Sequence, residues 1–268
     1  MSRHPVTGGT APARFTEHFA DGRPARPLDR SLPGEVPVAL EYNGVTWAVM
    51  MATPEDLGDY ARGFAIGEGL IARDAPPLSV DVARIDDGWI VRAQLPGCDA
   101  ETMATRVRRR IGDSSCGLCG MDTLAEVARP LPPVAVPMRP EPAAIFRAGA
   151  MLREHQPIGR ATGAAHAAAI CTMDGAIACV REDVGRHNAF DKAIGAWTAA
   201  GAAPGGATPR FAMLSARCSF ELVEKAVRGG LSALVTISAP TSMAVERARD
   251  AGLPLFVLAR GDSVLELT

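Results

Sequence analysis

"FAMLSARCSFELVEKAVRGGLSALVTISAPTSMAVERARDAGLPLFVL", Phe211 to Leu258, is the stretch that decides the fold. Three short apolar runs within it, Phe211 to Leu214, Ala233 to Ile237 and Leu255 to Leu258, read as buried strands. Phe220 to Val227 and Ser242 to Ala251 between them read as helices. Strands that alternate with helices at this spacing need crossover connections, so the sheet is largely parallel and covered on both faces. Ser215, Arg217 and Ser219, and then Ser238, Thr241 and Ser242, fall between a strand end and the next helix. Such loops converge on one sheet edge, where free amides and helix dipoles favour anionic ligands. Each of these hydroxyl residues also suits a plain helix cap.

Working outward, the same alternation extends upstream through a helix at Ala143 to Glu154, a hairpin at His166 to Val180 turning at Asp174-Gly175, and a helix at Ala189 to Ala199. Residues 143–268 therefore read as an α/β domain with a mainly parallel or mixed sheet flanked by helices. Residues 129–142, "RPLPPVAVPMRPEP", hold six prolines and read as an extended connector, since proline continues neither a helix nor a central strand. Residues 31–128 read as a smaller α+β domain. Its first hairpin, Val36 to Ala52, turns at Asn43-Gly44, a dipeptide suited to positive φ. A helix follows, capped by Thr53 with Pro54 at its first position, and carrying Leu57, Tyr60, Ala61, Phe64 and Ile66 on its apolar side. A second hairpin, Ser79 to Leu95, turns at Asp87-Gly88, and an Arg-rich stretch and a CxxC loop close the domain. Residues 1–30, rich in Pro, Arg and Gly without apolar periodicity, read as a loosely ordered arm.

The chain of 268 residues, 47% hydrophobic and 22% charged, can build a substantial core. Its net charge of -2 argues against general nucleic-acid or anionic-membrane binding, so any anion site is local. No secretory leader or membrane-spanning run is visible, and a cytoplasmic location is expected. Neither a Gly-x-Gly-x-x-Gly nor a Gly-Lys-Ser phosphate loop is present.

Two constellations carry chemistry. In "SSCGLCG", Ser114 to Gly120, Cys116 and Cys119 could hold zinc, exchange electrons as a dithiol, or carry sulfur. Zinc needs four ligands, and the other cysteines, Cys98, Cys171, Cys179 and Cys218, form no second pair, so no metal site is expected. Cys171 and Cys179 lie in apolar strand segments and read as small buried hydrophobes. A dithiol redox pair and a sulfur carrier both remain open. Gly117 and Gly120 allow close approach of a partner, and Arg106, Arg108, Arg109 and Arg110 favour a thiolate, although such a run also suits a solvated face. Cys116 is the expected carrier, with Cys119 assisting.

The second constellation is "REDVGRHNAFDKAIG", Arg181 to Gly195, between a strand end and a helix start. Arg181 and Arg186 could grip a phosphate, and Asp183 or Asp191 could accept from a base or ribose. Asn188 is expected to cap the helix, and Asp191 and Lys192 also suit a solvated face. A lone histidine at a strand start, His166, reads as hydrogen-bonded structure.

"SCGLCG", "TGAAHAA", "REDVGRHNAFDKAIG", "SARCSFELVEKA" and "ISAPTSMAVERA", in this order and spacing, closely resemble the formate dehydrogenase accessory sulfurtransferase family of FdhD/NarQ type, from about residue 35 to the C-terminus. The resemblance implies a cytidine-deaminase-like C-terminal domain. It further implies that sulfur is taken from a cysteine desulfurase as a persulfide on Cys116, with Cys119 its partner. The sulfur then passes to the molybdenum bis(guanine dinucleotide) cofactor destined for formate dehydrogenase, and GDP-like nucleotides would occupy the same site. The family's cofactor-binding segment falls on Leu258, Ala259, Arg260, Gly261, Asp262 and Ser263, with Leu258 where the family form has an aromatic residue and Asp262 where it has no acid. Arg181, Arg186, His187 and Arg217 are further cofactor-binding candidates. Zinc deaminases use His-x-Glu with Pro-Cys-x-x-Cys. Here His166 is followed by two alanines and Ser115 stands where proline would, so deaminase chemistry is not expected. A homodimer is the expected assembly. A guanine-nucleotide or cofactor-binding chaperone without sulfur transfer, and a dithiol oxidoreductase, are the alternatives.

Overall fold

The computed structural model describes residues 8–97, 130–199 and 208–268. Residues 8 to 33 are not a loose arm: β1 (Thr10–Glu17) and β2 (Arg26–Pro33) pair antiparallel from Thr10↔Pro33 to Glu17↔Arg26. The hairpin is held by its backbone ladder and by docking of Gly9 N–H on Glu55, 2.6 Å away, with Phe15 and Leu32 left exposed. Little apolar area is buried here, which is why no periodicity announces it.

The first expected hairpin forms as β3 (Val36–Tyr42) and β4 (Val45–Ala52), and both turn residues, Asn43 and Gly44, have positive φ. Its inward positions Val38, Leu40 and Tyr42 are fully buried. Helix α1 (Leu57–Gly67) begins three residues later than a Thr53 cap requires. Thr53 is drawn into buried contacts described below, and Asp56 occupies the cap position in left-handed conformation. The second hairpin is β5 (Val80–Ile85) and β6 (Gly88–Ala93), so its turn residues are 86–87 and Gly88 already belongs to the strand. β6 pairs parallel with β3, giving a four-stranded sheet of order β4-β3-β6-β5.

Residues 130–141 run extended, with Val134 N–H bonded to Ala251 O and Met138 N–H to Ser232 O. Helix α2 (Pro142–Leu152) starts with Pro142, whose missing amide costs nothing there. After a 3₁₀ turn and the short α3 (Pro157–Thr162) come β7 (His166–Thr172), β8 (Ile177–Asp183), α4 (Arg186–Ala199) and β9 (Arg210–Leu214). Then follow α5 (Phe220–Arg228), β10 (Ala233–Thr236), α6 (Ser242–Ala251), β11 (Leu255–Val257) and β12 (Leu265–Glu266). The six-stranded sheet has the order β12-β11-β10-β9-β7-β8. β9, β10 and β11 are parallel, whereas β7, β8 and β12 pair antiparallel, so this sheet is mixed.

One face of that sheet packs under α4, α5 and α6, and the other under α2 through Ile145, Ala148 and Leu152. The first of these cores runs without a break into β3, β4, α1 and β6, so among the described residues both sheets share one core. The reason is the contact of α1 with α4. A Cβ on Gly63 would fall on the carbonyl oxygen of Asp191, and one on Gly195 on that of Asp59, so the helix backbones touch where only glycine fits.

Candidate functional site

The carboxyl ends of β8, β9, β10 and β11 and the amino end of β7 share one edge. The register places His166 beside Asp183, Ala168 beside Leu214, and Leu214 beside Thr236. From the centre, β7 leads outward to β8 on one side, while β9 leads to β10 and β11 on the other. A crevice at such a reversal of strand order is where open α/β sheets take ligands.

Beneath the edge lies a buried polar frame. Asp183, with no exposed surface, accepts from Thr53 N–H at 3.0 Å and Lys192 Nζ at 2.7 Å through Oδ2, and from Gly185 N–H and Asn188 Nδ2 through Oδ1. Lys192 Nζ also donates to Thr53 O, and Val184 N–H donates to Thr53 Oγ1. Asn188 does not cap α4. It sits inside the first turn, buried, accepting from Tyr60 O–H at 2.8 Å and donating to Met51 O at 2.8 Å. Asp191 and Lys192 are not solvated either, because α1 covers that side of α4. Asp191 accepts two bonds from Lys225 Nζ, at 2.7 and 2.9 Å. Burial raises the Asp191 carboxyl to about 6 against the opposing pull of Lys225. Asp183 and Asp191 are thus satisfied within the fold rather than offered to a ligand.

The expected ligand residues divide. Arg181 is committed to α1: Nε and Nη2 donate to Asp59 Oδ2 at 2.9 and 2.7 Å, with Asp56 at 3.4 Å, so it fastens β8 to α1. Arg186 opens α4 at the edge, and its buried Nε has no hydrogen-bond partner among the described residues. His187 Nε2 lies 3.4 Å from Ser219 Oγ and 3.9 Å from Glu221 Oε2. Burial, with Lys225 and Arg186 adding to it, lowers this imidazole to about 3, so it is neutral at physiological pH. Arg217 is exposed in the loop after β9. Ser215 Oγ accepts from Ala167 N–H at 2.7 Å, and His166 Nδ1 lies 3.3 Å from Ser215 O, both structural contacts.

Leu258 to Ser263 follows β11 on the same edge. Leu258 has φ 51, the left-handed region that a leucine enters only under constraint. The constraint is visible in Leu258 N–H bonding Ser238 O, Ala259 N–H bonding Thr236 O, and Arg260 N–H bonding Ser263 O. Arg260, Gly261, Asp262 and Ser263 are exposed. Glu221 lies in the first turn of α5, where an acid reads from the sequence as ordinary dipole compensation, yet its buried Oε2 has no hydrogen-bond partner among the described residues.

Cys98, Cys116, Cys119 and Arg106 to Arg110 lie outside the described residues. Burial pushes the thiols of Cys171 and Cys218 up to about 12 and raises that of Cys179, which suits packing rather than reactivity. Among the described residues no group of His, Cys, Asp or Glu could hold a metal ion, and no helix is long and apolar enough to cross a membrane.

Fold and site together define a mixed α/β protein whose larger sheet presents unmatched polar groups at its carboxyl edge. The model of the FdhD/NarQ family matches residues 33–266, and the chain belongs to that family. Among similar proteins is the sulfur carrier protein FdhD of Chromobacterium violaceum, 42% identical, with 97% of this chain and 96% of that one covered. A protein of the same name from Xanthomonas campestris pv. campestris is 40% identical over 96% of this chain and 89% of its own. A crystal structure from Desulfotalea psychrophila, provisionally described as a formate dehydrogenase accessory protein, matches with a TM-score of 0.70 at 20% identity, covering 97% and 96% of the two chains. That likeness shows the fold.

Proposed function

We propose that this protein is a sulfur carrier for the maturation of formate dehydrogenase, with Cys116 as the carrying residue. The observation that carries the reading is the 42% identity, over 97% of the chain, to a protein named sulfur carrier FdhD. In this reading the Cys116 thiolate attacks the terminal sulfur of a cysteine desulfurase persulfide. The donor's S–S bond breaks, the donor leaves as its thiolate, and Cys116 gains the sulfur as a persulfide. Cys119 assists by exchange. The acceptor is the molybdenum bis(guanine dinucleotide) cofactor, which is cargo here rather than a resident group.

The carboxyl edge of the larger sheet is the proposed cargo site. Arg186, with its buried unpartnered Nε, and His187 sit at the start of α4, Arg217 stands in the neighbouring loop, and Leu258 to Ser263 follows β11. Arg181 is spent on Asp59 and fastens β8 to α1 rather than contacting the cargo. The hairpin β7–β8 followed by parallel crossovers supports a deaminase-like arrangement, one without deaminase chemistry because Ala168 stands where the proton-moving Glu would be. A cytoplasmic homodimer handing its cargo to formate dehydrogenase completes the proposal.

The test is mass analysis of the protein after incubation with a desulfurase and cysteine. The expected result is one added sulfur on the peptide holding Cys116, and a peptide that stays unmodified under a competent donor overturns the reading.

A further inference from the structure

The β1–β2 ribbon has an apolar face that the described residues leave open. Its pairing sets Ala11 opposite Leu32, Ala13 opposite Arg30 and Phe15 opposite Leu28 on that face. Phe15 and Leu32 are 46% and 40% exposed, and neither they nor Leu28 join either core. The ribbon is fixed at its root, where Gly9 N–H meets Glu55, Gly34 N–H meets Gly9 O, and α3 packs against both strands. An isolated two-stranded ribbon is marginal in water, so this face calls for a cover.

The outer face of the four-stranded sheet is a second such surface. Register sets Val49, Ala39 and Ile90 in one row across β4, β3 and β6, and Met51 and Pro37 in the next, which ends at Ile85 on β5. Val49, Met51 and Ile85 are 63%, 49% and 47% exposed, while α1 packs on the opposite face of the sheet. Neither row carries a charge. The row beyond them is charged but satisfied within the sheet, with Arg92 reaching Glu41 at 3.0 Å and Asp81 at 3.2 Å. Exposed apolar rows with a polar border mark an interaction surface.

The two surfaces complement each other. Both are apolar faces of β structure, which stack about 10 Å apart. Arg30, on the ribbon's apolar face, has no ion pair among the described residues, and Asp86 and Asp87, in the turn after Ile85, have none either. The spare cation and the spare anions therefore lie on opposite halves of the match, which favours the pairing and sets its orientation. One chain leaves both surfaces open, whereas two copies that exchange ribbons cover both and close by two-fold symmetry. Resting on the homodimer reading above, we infer that the β1–β2 ribbon of each copy lies across the outer face of the other's four-stranded sheet, with Arg30 toward the Asp86–Asp87 turn.

Analytical ultracentrifugation of the full-length protein tests this in wild type, Phe15→Glu and Val49→Glu, both substitutions at solvent-facing positions of the single chain. Wild type is expected at twice the 28.0 kDa of one chain, and each variant alone at 28.0 kDa. An equimolar mixture of the two variants is expected to return to twice that mass, because it joins one unaltered ribbon to one unaltered sheet. Variants that both remain dimeric overturn the inference and leave the homodimer reading standing. Variants that dissociate but do not rejoin on mixing overturn it as well, since only a reciprocal exchange restores one intact contact. A monomeric wild type overturns the homodimer reading and the inference with it. The sulfur-carrier reading is decided separately by the mass of the Cys116 peptide.

Discussion

Lys192 Nζ lies 2.7 Å from Asp183 Oδ2, and both side chains are wholly buried. The pair joins α4 to the end of β8 and, through Thr53, to the segment between β4 and α1. It therefore couples the candidate site to the other half of the chain. Removing one member leaves the other charge buried without its counter-ion, which costs about 3–5 kcal/mol. Lys192→Met is expected to lose that much in urea unfolding, and Lys192→Met combined with Asp183→Asn to recover part of it. Additive losses in the double variant would refute the coupling.

The crossing of α1 and α4 rests on Gly63 and Gly195, where an added Cβ meets backbone that cannot rotate aside. Gly195→Ala is expected to destabilise by about 3 kcal/mol, the upper range for overpacking. Gly252→Ala meets no steric obstacle, although its positive φ adds strain, and should cost less. Thermal melts of the two variants side by side decide the order.

His187 gives the protein an acid-sensitive limb. Its folded value of about 3 lies below the ordinary 6.5, so the unfolded chain binds the extra proton between those pH values. Its contribution is fully present above pH 6.5 and is lost as pH falls toward 3. Asp191, raised to about 6, works in the opposite direction between roughly pH 4 and 6. Comparing His187→Asn with wild type removes the shared Asp191 contribution. The stability difference between pH 7 and pH 4.5 should be smaller in the variant by about 2 kcal/mol. Parallel pH profiles of the two proteins would rule this out.

Leu258 pays a conformational cost for the turn that follows β11. A β-branched residue tolerates positive φ least and asparagine tolerates it well. Leu258→Val should be less stable than Leu258→Asn by about 1 kcal/mol, despite valine being the closer match in polarity. Chemical denaturation of both variants reads the sign directly.

The two arginines that look alike in "REDVGRH" should behave differently. Arg186→Ala is expected to weaken GDP binding by about tenfold or more, because its guanidinium has an unused buried donor. Arg181→Ala should lower the melting temperature with little change in GDP affinity, since its donors are spent on Asp59. Titration and melting of both proteins separate the roles, and equal losses of affinity would merge them.

The local pattern was enough for much of this molecule. Alternation of apolar strands and 3.6-period helices from Ala143 onward and the Asn43-Gly44 turn are encoded within a few residues, so they could be read directly. The hairpin β1–β2 could not, because backbone pairing rather than apolar burial holds it. The start of α1 was misplaced for a related reason. Thr53 is a good cap by propensity, yet its hydroxyl accepts from the amide of a residue more than a hundred positions away, Val184.

By itself the sequence determined the α/β alternation, the convergence of polar loops at strand ends, and the Cys116 motif by which the family is recognised. Only the tertiary structure decided which charges the fold pairs internally and which it leaves unpaired. Arg181, Asp183, Asp191 and Lys192 are indistinguishable from ligand or surface residues in one dimension, because charge pairing depends on which helix covers them. Once α1 lies on α4 those four are neutralised internally, and Arg186 and Glu221 keep buried atoms unmatched among the described residues.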